Sequence, residues 1–86
     1  MPEISRFYGI VIRMYFEDHV PPDFHAYYAE HEAVVNIHTM AVIAGRLPPR
    51  ASGLVIEWAL LHQDELQAVW ERARNLEPLG KIAPLV

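Results

Sequence analysis

Two adjacent prolines, Pro21 and Pro22, stand between two stretches of alternating apolar residues, and this limits what the N-terminal half can fold into. Proline has no N–H to give to a strand ladder, so a pair of them ends a central strand. Before them, in RFYGIVIRMYF (6–16), every second position is apolar or aromatic: Tyr8, Ile10, Ile12, Met14 and Phe16. A strand turns alternate side chains to opposite faces. One strand over 6–16 is therefore predicted, with the even set on the core face and Phe7, Val11, Arg13 and Tyr15 on the other.

After the prolines the alternation resumes. FHAYYAE (24–30) puts Phe24, Ala26 and Tyr28 on one face and His25, Tyr27 and Ala29 on the other. His31–Glu32 reads as the turn of a tight hairpin. AVVNIH (33–38) then returns with Ala33, Val35 and Ile37 inward and Val34, Asn36 and His38 outward, and residues 39–47 offer a fourth short strand ending at Gly45. Loops this short join antiparallel neighbours.

From Pro49, which suits the first position of a helix, the period changes. Ala51, Val55, Trp58, Leu66, Val69 and Ala73 follow helical spacing, with His62 in the gap. One straight helix over 49–75 would be ~40 Å long at ~1.5 Å per residue. A chain of this length has a radius of gyration of only ~12 Å. A break is therefore expected at LHQDE (61–65), with Glu65 reaching back to His62. The prediction is an α+β fold: an antiparallel sheet of three to four strands, packed on one face by a C-terminal helical pair or kinked helix. Trp58, Leu54, Leu61 and Leu66 are expected to cover the sheet. Eighty-six residues leave room for one core, so one domain is read over 1–86: strands over 1–47, helix over 48–75 and an irregular tail over 76–86.

Composition removes several chemistries. No cysteine is present, so disulfides, thiolate zinc sites and cysteine nucleophiles are absent. No Gly-x-Ser-x-Gly elbow and no phosphate-cradling glycine loop occur. Eleven acids against seven bases give a net charge of −4, which disfavours a general RNA or DNA binder. No apolar run approaches a membrane span and no leader pattern opens the chain, so a cytoplasmic protein is expected. A chain this small gains from burying surface against another, so a small protein partner or a homo-oligomer is also expected. Trp70, Val69 and Leu66 are read as an apolar strip for that partner.

Two constellations could carry chemistry. If helices cover one sheet face, the other displays Arg13, Tyr15, His25, Tyr27, Asn36 and His38. Arg13, His25 and Tyr27 supply the cation and proton-transfer groups that metal-independent RNA cleavage requires. An antiparallel sheet also has a polar face without any catalytic use. The second constellation is the histidine-rich loop around the double proline, where His19, Asp23 and His25 are ligand types for a divalent transition metal.

In RFYGIVIRMYFEDHVPPDFHAYY, GRLPPR and EWALLHQDELQAVWERARNLEPLGKI, the chain resembles the bacterial domain of unknown function numbered 4160. The likeness extends over almost the whole chain. The loop pattern of that family, His-x-Pro-Pro-His-Phe-His, is matched at His19, Pro21, Pro22, Phe24 and His25. Asp23 replaces a histidine, which turns a neutral donor into an anion. The resemblance implies a gene placed beside another small uncharacterised one, in an arrangement similar to a toxin–antitoxin pair. The expected function is thus a bacterial protein-interaction module, with RNA cleavage and metal binding as alternatives.

Overall fold

The computed structural model describes residues 3–16 and 21–86. Five strands come first: β1 (Glu3–Phe7), β2 (Ile10–Arg13), β3 (Asp23–Tyr28), β4 (His31–Asn36) and β5 (Val42–Arg46). Helices α1 (Pro49–Leu61) and α2 (Gln63–Arg74) follow. The sheet has the order β1-β2-β3-β4-β5, every pair antiparallel. Both helices pack on one face, so the architecture is the expected α+β arrangement with one strand more.

The extra strand comes from a turn inside the predicted first strand. Tyr8 (φ 50°) and Gly9 (φ 80°) both have positive φ, the signature of a two-residue hairpin turn whose twist suits the flanking strands. The single strand over 6–16 is therefore two strands. The parity of the even set survives for Ile10, Ile12 and Met14, all buried, but not at the ends. Tyr8 is 60% exposed and Phe16 44%, whereas Phe7, assigned to the open face, is buried against Trp58 with ring centroids 5.3 Å apart. The next turn also moves, from His31–Glu32 to Ala29–Glu30, with Ala29 at φ 51°.

Trp58 is the centre of the core. It is fully buried, lies edge-on to Phe24 at 5.9 Å, and its Nε1–H donates to the Ala83 carbonyl at 2.8 Å. Leu66, Val69, Trp70 and Ala73 of α2 are buried on the same side. Trp70, Val69 and Leu66 are thus core residues rather than an exposed strip, and Leu61, expected to cover the sheet, is 68% exposed. The helix breaks at the expected place. His62 leaves helical geometry (φ −121°, ψ 26°), and its Nδ1 lies 2.5 Å from the Glu65 carboxylate. Gln63 anchors the elbow to the sheet by donating from Nε2 to the Ile37 carbonyl at 2.8 Å. Asp64 and Glu65 in the first turn of α2, and Arg72 and Arg74 in its last, suit the helix dipole.

The two sheet edges differ. The tail after α2 is irregular but held: Leu79, Ile82 and Leu85 are buried, and the Ile82 N–H donates to the Ile4 carbonyl of β1 at 2.8 Å. Lys81 Nζ donates to the Glu3 carbonyl at 2.8 Å, and Arg72 Nη2 to that of Leu79 at 2.9 Å. Among the described residues β5 has no such cover and pairs with β4 alone, and all five of its residues are exposed. The radius of gyration is 11.6 Å. Among the described residues no helix is long and apolar enough to cross a membrane.

Candidate functional site

The face of the sheet away from the helices is built by register. Arg13 stands opposite His25 and Val11 opposite Tyr27. His25 stands opposite Val34 and Tyr27 opposite Glu32. Alternate residues share a face, so Arg13, His25, Tyr27 and Glu32 point the same way from three adjacent strands. Diagonal neighbours across such strands are within reach of long side chains. His25 Nδ1 lies 3.1 Å from Glu32 Oε2, and the Arg13 guanidinium sits 5.4 Å above the centre of the Tyr27 ring.

Tyr15, just past β2, closes the group. Its ring meets the His25 ring edge-on at 4.6 Å and 80°, and its hydroxyl is hydrogen-bonded to that of Tyr27. The His25 and Tyr27 rings lie nearly parallel, 6.3 Å apart. These side chains half-bury one another with no helix above them. Burial, then the bond to Tyr15, push the Tyr27 phenol well above its ordinary value. Among the described residues Arg13 takes part in no ion pair or hydrogen bond, and its Nε is buried without an acceptor. Arg6 and Arg46 share the face with Arg13, against Glu3, Glu32 and the buried Asp23. Among the described residues these charges on the face balance formally, unlike the whole chain at −4.

Arg13, His25 and Tyr27 are thus brought together. Asn36 and His38 are not part of the group. Asn36 Oδ1 accepts the His38 and Thr39 amides at 2.7 and 3.0 Å and so shapes the β4–β5 turn, and His38 Nε2 lies 2.9 Å from Gln67 Oε1 on α2. Of the metal-ligand set, Asp23 is buried opposite Asn36 on the parity of His25, and His19 lies outside the described residues. No group of three or more histidine and carboxylate side chains able to hold a metal ion occurs among the described residues. Glu32 was missed because the predicted hairpin turn fell on it. No glycine or asparagine marks the true turn at Ala29–Glu30.

A cleft of about 510 Å³ lies at the hairpin end, lined by Tyr8, Tyr28, Arg50, Leu54 and Glu57 among others, and none of the predicted site residues reaches it. A depression of about 250 Å³ on Glu32, Val34, Ala44 and Gly45 adjoins the open-face group.

The family model described as Domain of unknown function (DUF4160) matches residues 9–71, from the first hairpin turn almost to the end of α2. The chain belongs to this family. The matched segment contains Arg13, Tyr15, His25, Tyr27 and Glu32 together with all of β5. No curated protein and no solved structure matches the chain significantly.

Proposed function

We propose that the chain is a small cytoplasmic protein-interaction module of bacteria, one half of a toxin–antitoxin-like pair, and that it takes an extended segment of its partner as a sixth strand along β5. The observation that carries this reading is the state of β5. Every residue is exposed, Val42 and Ile43 by 43% and 47%, and the outer main chain has no partner among the described residues. Natural edges are guarded by charges, proline, bulges or a covering segment. β5 (VIAGR) has a bulge against β4 and one charge, Arg46, at its end, but no lysine or proline, and no described segment covers it. Main-chain pairing at such an edge supplies affinity and the alternate side chains supply selection. The test is co-purification with the product of the adjacent gene. Ile43→Pro, which removes an amide, and Ile43→Lys are expected to abolish the complex, and Leu76→Lys, at an exposed site beyond α2, to leave it intact. A complex that survives both Ile43 variants refutes the reading. A dimer of the chain alone, broken by the same variants, would replace the foreign partner with a second copy.

A second reading, metal-independent RNA cleavage, is supported by the convergence of Arg13, His25 and Tyr27 on one open face. Its test is cleavage of single-stranded RNA by the purified chain in the presence of a chelator. Intact RNA refutes it.

A further inference from the structure

We propose that, within this second reading, Arg13 holds the scissile phosphate of single-stranded RNA, His25 takes the proton of the 2′-hydroxyl, and Tyr15 gives a proton to the leaving 5′-oxygen. The inference rests on that reading and assigns its roles, with Tyr15 in place of Tyr27 as the catalytic tyrosine and Glu32 and Tyr27 as positioning residues.

Arg13 is the starting point. A half-buried guanidinium normally meets a carboxylate, because a desolvated charge without a partner is costly. Among the described residues Arg13 makes no ion pair, Glu3 across the strand pair acting on it only as a more distant charge, and its Nε is buried and unpartnered. Buried groups left unsatisfied in a folded protein call for an explanation, and a ligand is one. Its guanidinium, seated over the Tyr27 ring, presents a planar fork that matches two phosphate oxygens. The depression on Glu32, Val34, Ala44 and Gly45, on the Glu32 side of the group, leaves room there for part of a nucleotide. A flat, partly aromatic face suits splayed single-stranded nucleotides, which proteins bind by stacking.

The proton-transfer groups follow from the hydrogen bonds. An imidazole whose Nδ1–H donates to the Glu32 carboxylate at 3.1 Å has Nε2 free as an acceptor. In the Tyr15–Tyr27 pair one hydroxyl donates and the other accepts. The Tyr27 ring lies under the Arg13 guanidinium, whereas the Tyr15 ring stands edge-on to His25 at 4.6 Å, so Tyr15 is the tyrosine adjacent to the base. With the Tyr27 hydroxyl as the donor of the pair, negative charge developing on Tyr15 is met by a hydrogen bond already in place.

The step balances without metal, water or redox partner. His25 Nε2 takes the 2′-hydroxyl proton as the 2′-oxygen bonds to phosphorus. The bond from phosphorus to the 5′-oxygen breaks, and that oxygen takes the Tyr15 proton. The products are a 2′,3′-cyclic phosphate and a 5′-hydroxyl, and solvent returns the proton from His25 to Tyr15.

The experiment uses the whole chain, a chelator and three substrates: single-stranded RNA, the same strand with a 2′-deoxy residue at the cut, and RNA with sulfur as the bridging 5′ atom. RNA alone of the first two is expected to be cut, leaving a cyclic phosphate. His25→Ala and Arg13→Ala are expected to slow cutting about 100-fold or more, the usual range for a proton-transfer group. Arg13→Lys is read instead if circular dichroism shows Arg13→Ala unfolded, and a loss of about tenfold is expected for the lost fork. Tyr15→Phe is expected to lose about as much as His25→Ala on ordinary RNA and to recover on the sulfur substrate, whose leaving group needs no acid. Tyr27→Phe is expected to lose less. Intact RNA with wild-type protein overturns the reading and this inference together. RNA cut as fast by Tyr15→Phe, or a Tyr15→Phe loss that sulfur does not rescue, overturns the inference and leaves the reading standing.

Discussion

Gly45 is where the open edge of the sheet is most exposed to a single methyl group. It sits in β5 at φ +68°, and a Cβ built on it would lie 2.1 Å from the Glu32 carbonyl oxygen and 3.3 Å from Ala33 Cα. Real Cβ atoms do not approach closer than 3.0 Å, so Gly45→Ala must move β5 away from β4 by about 1 Å. The left-handed conformation costs an L-residue roughly 1–2 kcal/mol. Breaking two flanking ladder hydrogen bonds adds about 1 kcal/mol each. The expected total is about 3–4 kcal/mol, a large share of what so small a chain commands. Gly53→Ala is the control. It lies within α1 with nothing within 4 Å of its new Cβ, so it is expected to stabilise by about 0.5–1 kcal/mol. Urea unfolding followed by far-ultraviolet circular dichroism reads both, and amide exchange at Ala33 and Ala44 reports where the loss falls. If Gly45→Ala unfolds within about 0.5 kcal/mol of the wild type, the β4–β5 pairing described above is wrong.

Trp58→Phe keeps the aromatic contacts but deletes the donor to the Ala83 carbonyl. A loss of about 1–2 kcal/mol is expected, with faster exchange at the Ile82 amide as the tail loosens; unchanged Ile82 exchange would mean that the tail is held without Trp58. Tyr27 carries a phenol whose folded pKa lies above its ordinary value of 10.0, first through burial and then through Tyr15. The folded state favours its protonated form, so its contribution to stability is complete below pH 10.0 and is lost as pH rises beyond it toward the folded value. Absorbance titration is expected to show fewer than the four tyrosines ionising in the ordinary range, and Tyr27→Phe to flatten the alkaline fall in stability. Four ordinary titrations would refute this.

What was legible in the sequence was parity. The alternation of Ile10, Ile12 and Met14, and of Phe24 and Ala26, placed the core face, and with it Arg13, His25 and Tyr27 on the opposite one. The helical spacing with its break at His62 was legible because length and compactness conflict in a single helix. The turns were not. Tyr8 and Ala29 take positive φ without being the residue types that advertise it, so one hairpin was overlooked and another displaced by two residues. Those errors hid Glu32 as the partner of His25. The burial of Trp70, Val69 and Leu66 was hidden for a different reason: a helical stripe faces core or partner with the same periodicity, and only the position of the sheet decides.

The bonds from Ile82 to Ile4 and from Lys81 to Glu3 have a consequence for stoichiometry. They lay the chain's own tail against the β1 margin, which hinders growth of the sheet from that side. If two copies were to join through β5, each end of the joined sheet would carry such a tail. On the proposed use of β5, the tail would then act as a chain terminator, favouring a discrete particle over a fibre.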